Sequence, residues 1–189
     1  MSKKLLALDI DGTLTNTQKD ITPATLEKII EAQEKGHIVA IASGRPLPGI
    51  RKIADTIELD RFGGYVLAFN GGRIVDYSTG EGVYQAVLDN DVVRDIYDYC
   101  LKAGCGMVTY DGDRVITGTD IDGYMTFEAS INHMEIMRID NFREYIDFPL
   151  NKCLLTADPD KAEKIEQELA EKFGDQLNIF RSEPSFVEI

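Results

Sequence analysis

Short apolar runs alternate with helical repeats along the first eighty residues. Residues 4–10 form a brief apolar run closed by a polar, glycine-containing turn, which suits a buried strand better than a helix of that length. Thr22 followed by Pro23 reads as an N-cap and first helical residue, and Leu26, Ile29 and Ile30 recur at helical spacing up to a stop at Gly36. Residues 37–42 read as a second buried strand, 47–57 as a second helix and 65–69 as a third strand. Strands alternating with helices imply right-handed crossovers and a parallel sheet, so this half is expected to be a doubly wound α/β unit.

From about Gly82 the pattern changes. Asn90 can cap a helix whose apolar face is Val92, Val93, Ile96, Tyr97, Cys100 and Leu101, ending near Gly104. Residues 107–110 and 114–117 flank Asp111-Gly112-Asp113, a hairpin signal. Residues 152–156 read as a strand, Asp158-Pro159 opens a helix with Ala162, Ile165, Leu169 and Phe173 inward and Gly174 as its stop, and 177–181 and 185–189 read as closing strands. Strand pairs mixed with helices predict a separate α+β domain, with hinges at 79–82 and 182–184.

Composition narrows the function classes. At 189 residues, 43% apolar and 28% charged, the chain is an ordinary globular protein whose longest apolar runs are too short to span a membrane. Residues 1–80 carry ten basic and ten acidic side chains, whereas the remainder carries ten and twenty-three, so the whole net charge of −13 sits in the second half. So acidic a surface repels phosphate backbones, and no basic-aromatic stripe argues for nucleic acid as a partner. Cys100, Cys105 and Cys153 cannot all pair and lack metal-ligand spacing, so they read as reduced thiols. The N-terminal stretch is too short for a signal-peptide core, and the expected location is the cytoplasm.

The chemistry concentrates in Asp9-Ile10-Asp11-Gly12-Thr13-Leu14-Thr15, directly after the first strand. Two carboxylates at the carboxyl end of a parallel strand stand where open α/β sheets place their ligands. Crowding two anions costs free energy unless a cation or proton offsets it, and a divalent metal would do so. The sequence contains its own control, because Asp-Ile-Asp-Gly recurs at 120–123 after Thr117-Gly118-Thr119, with Tyr124 in place of the small hydroxyl residue; this copy reads as a turn. An EF-hand is excluded by Leu14 at the glycine position, and neither a P-loop nor a GxGxxG fingerprint is present.

The 9–15 segment resembles motif I of the haloacid dehalogenase (HAD) superfamily of phosphatases. Ile41-Ala42-Ser43-Gly44-Arg45-Pro46 is similar to motif II, and Asn70-Gly71-Gly72 followed by an α+β insert resembles the Cof-type branch with its large class IIB cap. The resemblance implies a partial Rossmann-like core over 1–80, a cap over 81–182 and a segment returning to the core from 183. It implies that Asp9 is the nucleophile forming an aspartyl-phosphate and that Asp11 is the acid-base residue, for which a raised pKa is expected. Mg²⁺ would be bound by Asp9 and by the backbone carbonyl of Asp11. Ser43 and the Gly44 N–H would hold phosphoryl oxygens at a helix N-terminus, while Thr13 would fix the motif I turn or the phosphate.

Weaker candidates have plainer alternatives. Arg45 reaches either the substrate or a salt-bridge partner at the domain junction, Asn70 either lines the site or makes a turn, and His37 and His133 lack a catalytic partner pattern. The resemblance further implies a motif III Lys and a motif IV acidic loop beyond the cap, and no Gly-Asp loop of that kind follows in these 189 residues. The expectation is therefore a truncated, weakly active or inactive Mg²⁺-dependent phosphatase for a small sugar phosphate-like metabolite, with self-association through the incomplete core. A non-catalytic ligand- or partner-binding fragment and a phosphomutase are the alternatives.

Overall fold

In a computed structural model, which describes residues 2–189, the chain divides after Ala86 into two compact units. The first unit begins with strand β1 (Leu5–Asp9), followed by α1 (Pro23–Glu34), β2 (Ile38–Ala42), α2 (Leu47–Thr56), the single turn α3 (Leu59–Phe62), β3 (Gly64–Ala68), β4 (Arg73–Asp76) and β5 (Gly82–Gln85). The local signals explain most of these limits. Thr22 accepts a hydrogen bond from the Thr25 N–H and Pro23 occupies the first turn, while Gly36 takes a positive φ of 80° just past the end of α1.

The strands run in the order β1-β2-β3-β4-β5. The first three are parallel and the last two antiparallel. Because the parallel strands advance in one direction, right-handed crossovers place α1 and α2 on one face. There Ile29, Ile50 and Ala54 pack with Val39, Ile41 and Val66 in one buried cluster. The Gln33 amide also donates to the Ile57 carbonyl at 2.7 Å, tying the two helices together. The expected α/β class stands, with parallel strands and helices as in the first three strands and α1 and α2.

Strand β1 corrects one expectation. It forms where the apolar run predicts it, but among the described residues it is an edge strand, paired with β2 alone, and Leu5 and Leu6 are 64% and 40% exposed. An apolar run identifies a strand without showing what covers it.

The first domain boundary lies later than the hinge at 79–82, because β5 joins the first sheet through β4, with Ile74 opposite Tyr84 and Arg73 opposite Gln85. The second unit contains α4 (Asn90–Ala103), β6 (Gly106–Asp111), β7 (Arg114–Thr117), α5 (Gly123–Ile131), β8 (Glu135–Arg138), the single turn α6 (Phe142–Tyr145), β9 (Leu154–Thr156), α7 (Pro159–Phe173), β10 (Phe180–Glu183) and β11 (Phe186–Glu188). Its six strands are ordered β10-β11-β9-β6-β7-β8. Helices α4 and α7 bury Val93, Ile96, Ile165 and Leu169 against Met107, Ile116, Leu155 and Val187.

Residues 183–189, expected to begin the return segment, lie within this unit. Strand β11 pairs with both β10 and β9, and the 182–184 hinge is part of that hairpin. The cap of α4 is Asp89 instead of Asn90, its carboxylate accepting from the N–H groups of Asp91 and Val92. The second Asp-Ile-Asp-Gly is a helix start: Asp122 caps α5 by accepting from the Met125 N–H at 2.7 Å and also receives the Thr156 hydroxyl. Among the described residues no helix is long and apolar enough to cross a membrane.

Candidate active site

Strand register brings the candidate residues to one end of the first sheet. Asp9 lies opposite Ala42, and Ala42 opposite Leu67, so the loops that follow β1, β2 and β3 leave the sheet at the same level. The ligand edge of the sheet therefore carries residues 10–15, 43–46 and 69–72.

Two backbone bonds close the first loop. The N–H of Leu14 donates to the Asp9 carbonyl at 3.0 Å and that of Thr15 to the Ile10 carbonyl at 2.9 Å. Gly12 permits the reversal with a φ of 82°. The side chain that secures this loop is Thr15, whose buried hydroxyl donates to the Ile10 carbonyl at 2.9 Å. The turn-fixing role assigned to Thr13 thus belongs to Thr15. Thr13 is exposed, and its hydroxyl has no partner among the described residues.

The two acids differ in their surroundings. Asp9 is exposed, and none of the described residues hydrogen-bonds or ion-pairs with its carboxylate. Asp11 is gripped by two cations. Arg45 donates through Nε to Oδ2 at 3.0 Å and through Nη2 to Oδ1 at 2.9 Å, and Lys19 Nζ adds a bond to Oδ1 at 2.7 Å. Burial is the largest single influence on this carboxyl and pushes its pKa up. The hydrogen bonds from Lys19 and Arg45, with their charges, outweigh it and hold Asp11 below the usual carboxylate value. The expectation of a raised pKa for Asp11 is therefore reversed, because Arg45 and Lys19 reach its carboxylate within the first unit.

Sequence reasoning did not find Lys19. It lies in a small loop organised by Asn16, whose side-chain oxygen accepts from the N–H groups of Gln18 and Asp20. Asn16 followed by polar residues is a turn signal, but which carboxylate the lysine then reaches depends on the folded loop.

The loops after β2 and β3 are stitched together. The N–H of Ser43 donates to the Leu67 carbonyl, that of Phe69 to the Arg45 carbonyl and that of Asn70 to the Ser43 carbonyl, at 2.9, 3.0 and 3.0 Å. The Ser43 hydroxyl accepts from the Arg45 N–H at 3.3 Å. Asn70 holds a left-handed backbone (φ 55°, ψ 33°) directly after Phe69, also at positive φ. Two consecutive non-glycine residues in this region cost about 1–2 kcal/mol each, a strain found where surrounding structure over-determines the backbone. The Asn70 side chain lies over Gly44 so closely that a Cβ there would come within 2.8 Å of its Oδ1.

Asp11, Ser43, Gly44, Arg45 and Asn70 thus form one contiguous group, with Asp9 beside it on β1. Helix α2 begins at Leu47 after Pro46, so Ser43 and Gly44 occupy its lead-in loop and not its first turn. His37 lies at the opposite end of β2, where Nδ1 accepts from the Lys4 N–H, and takes no part.

The chain matches the haloacid dehalogenase-like hydrolase family over residues 6–189. It belongs to that family. Among solved structures, a haloacid dehalogenase-like hydrolase from Bacteroides thetaiotaomicron is 38% identical, with a TM-score of 0.92 over 99% of this chain and 70% of that one. A subclass IIB HAD sugar phosphatase, BT4131, is 18% identical, with a TM-score of 0.70 over 99% of this chain and 69% of that one, a likeness of fold. A Streptococcus pyogenes serotype M6 protein, provisionally named a phosphatase, is 29% identical over 100% of this chain and 70% of its own length. This HAD hydrolase therefore has the fold of the subclass IIB members, and the paired acids after β1 lie within the matched region.

Proposed function

We propose that the chain is a Mg²⁺-dependent phosphatase acting on small organic phosphate monoesters of the sugar phosphate type. The supporting observation is the unequal partnering of the two acids at the sheet edge: Asp9 is free to attack, and Asp11 is set beside it by Arg45 and Lys19. In this reading an Asp9 oxygen bonds to phosphorus as the bond to the leaving oxygen breaks. The incoming phosphate draws Arg45 and Lys19 off Asp11, whose carboxylate, relieved of both cations, takes up a proton from solvent and passes it to the leaving oxygen. Water then attacks the aspartyl-phosphate, Asp11 takes its proton, and inorganic phosphate leaves with Asp9 restored. Thr13, Ser43, Gly44 and Asn70 would hold phosphoryl oxygens. Arg45 and Lys19 supply positive charge near the incoming dianion, and an approaching phosphate would compete with Asp11 for both cations.

The donors fit magnesium. The Asp9 carboxylate and the Asp11 main-chain carbonyl are hard oxygens, and Mg²⁺ sites commonly combine one or two carboxylates with substrate phosphate and water. Among the described residues no three acidic, histidine or cysteine side chains cluster tightly enough to hold a metal by themselves. When bound, the cation would screen Asp9 from the phosphate and polarise a phosphoryl oxygen. Two protein donors and the Arg45–Asp11 pair make a modest electrostatic clamp. Losing one such element at a phosphoryl site costs about 10²-fold or more in rate.

Three free cysteines suit a reducing compartment, which supports a cytoplasmic location. The open edge of β1 with its exposed leucines supports self-association of this polypeptide.

The test is Mg²⁺-dependent release of inorganic phosphate from a panel of sugar phosphates. Turnover lost in Asp9→Asn supports the reading. Turnover that survives this substitution, or phosphoryl transfer to a second sugar hydroxyl in place of water, overturns it.

A further inference from the structure

Helix α4 ends in a Schellman-type turn. Gly104 adopts the left-handed conformation (φ 66°, ψ 40°), and the Cys105 N–H donates to the Cys100 carbonyl at 3.1 Å. This bond folds the chain back on the helix so that the side chains at its two ends meet, usually as a hydrophobic pair. Here both are cysteines. The two residues lie in the same buried cluster, Cys100 at the end of α4 and Cys105 just before β6. Lys161 Nζ donates to the Gly104 carbonyl at 2.7 Å, which brings an ammonium group beside Cys105. A backbone bond between two residues also keeps their Cα atoms near the roughly 4.4–6.8 Å that a disulfide spans.

We propose that Cys100 and Cys105 form a modification site, a dithiol that a peroxide converts into an intramolecular disulfide. The Cys105 thiolate attacks one peroxide oxygen, the O–O bond breaks, and the departing hydroxide takes a proton to become water. Cys105 is then a sulfenic acid. The Cys100 sulfur attacks the Cys105 sulfur, the S–O bond breaks, and the hydroxyl leaves with the Cys100 proton as a second water. Two thiols are oxidised to one disulfide and one peroxide is reduced to two waters.

The surroundings assign the two roles. The neighbouring Cys100 thiol, and then the charge of Lys161, hold Cys105 below the usual thiol value against burial and the nearby Asp122 carboxylate. The neighbouring Cys105 sulfur, together with burial, pushes Cys100 up. Cys105, which keeps 7% exposure and adjoins the carbonyl that holds the Lys161 ammonium, is thus the attacking thiol, and Cys100, with none, the resolving one. Cys153 is fully buried and pushed up to about 12 by desolvation, so it remains a thiol. None of this depends on the phosphatase reading.

The test treats the folded 189-residue chain with increasing hydrogen peroxide, alkylates the remaining thiols and maps the peptides by mass. The expected result is a single Cys100–Cys105 disulfide, reversed by dithiothreitol, with Cys153 still alkylated. In Cys100→Ala, peroxide should leave Cys105 as a sulfenic acid that dimedone traps, and in Cys105→Ala it should leave Cys100 unmodified at the same dose. If either variant fails to fold by circular dichroism, the wild-type map decides. A disulfide to Cys153, equal oxidation of all three thiols, or no oxidation below doses that unfold the chain would overturn the proposal.

Discussion

Arg45 grips Asp11 through a two-pronged contact across the loops that follow β1 and β2. Nε and Nη2 meet the two carboxylate oxygens at 3.0 and 2.9 Å, although the residues are 34 positions apart in sequence. Such a fork orients a carboxylate as well as charging its surroundings. The pair is partly exposed, with Arg45 at 20% and Asp11 at 38% side-chain accessibility, so its contribution to stability is reduced by solvent screening.

Replacing Arg45 tests that contact. Arg45→Ala should destabilise the first unit by only about 0.5–1 kcal/mol while raising the Asp11 pKa, followed by carboxyl chemical shifts against pH. Arg45→Lys keeps the charge but not the fork and should restore only part of the shift. An Asp11 titration unchanged in both variants would show that Lys19 alone orients the carboxylate.

The pH dependence has a definite sign. Because the folded pKa of Asp11 is lowered, the unfolded chain binds its proton first on acidification. The contact's contribution is fully present above the unfolded value of about 3.9 and is lost as pH falls through the lower folded value. The stability difference between wild type and Asp11→Asn, from urea unfolding at several pH values, should be constant at neutral pH and shrink in that acid range.

Gly44 and Asn70 are predicted to be coupled. Gly44→Ala places a Cβ 2.8 Å from Asn70 Oδ1 and should displace that side chain from the site. Asn70→Ala removes the obstructing atom, so the double variant should lose less stability than the two single losses together, a coupling of about 0.5–3 kcal/mol by double-mutant cycle. Simple additivity would show that the two loops move independently.

Asp9→Asn should separate chemistry from stability. The Asp9 carboxylate has no partner among the described residues, so the melting temperature should stay constant or rise slightly. Phosphate release, by contrast, should fall by about 10²-fold or more. Loss of folding in this variant would mean that the carboxylate has a structural role.

Leu5→Lys addresses the open edge of the first sheet. Leu5 is 64% exposed on a strand with one side unpaired among the described residues, and a charge there is a common device against edge-to-edge pairing. Sedimentation should show association in the wild type and a shift toward monomer in the variant. An unchanged distribution would place any association elsewhere.

Local signals were enough to identify the strand before Asp9, the Thr22 cap, the Gly36 and Gly104 stops and the 9–15 and 43–46 motifs, because each depends on residues a few positions apart. Shorter or partner-dependent elements were harder to read. Strands β4, β5 and β8 and helix α5 lack a long periodic signal, and Asp122 became a cap only because α5 follows it. Hydrophobic pattern also could not show that β1 is an edge, since an apolar run reads alike whether its face is covered or open.

Sequence alone therefore determined that two acids stand after a strand and that a serine-glycine-arginine loop follows the next one, since chain order and spacing settle both. Tertiary structure alone decided that Arg45 and Lys19 close on Asp11, lowering a pKa expected to be raised, and that Thr15 instead of Thr13 secures the loop. The reason is physical: a carboxylate's proton affinity depends on charges within a few ångströms, and here they come from residues 8 and 34 positions away.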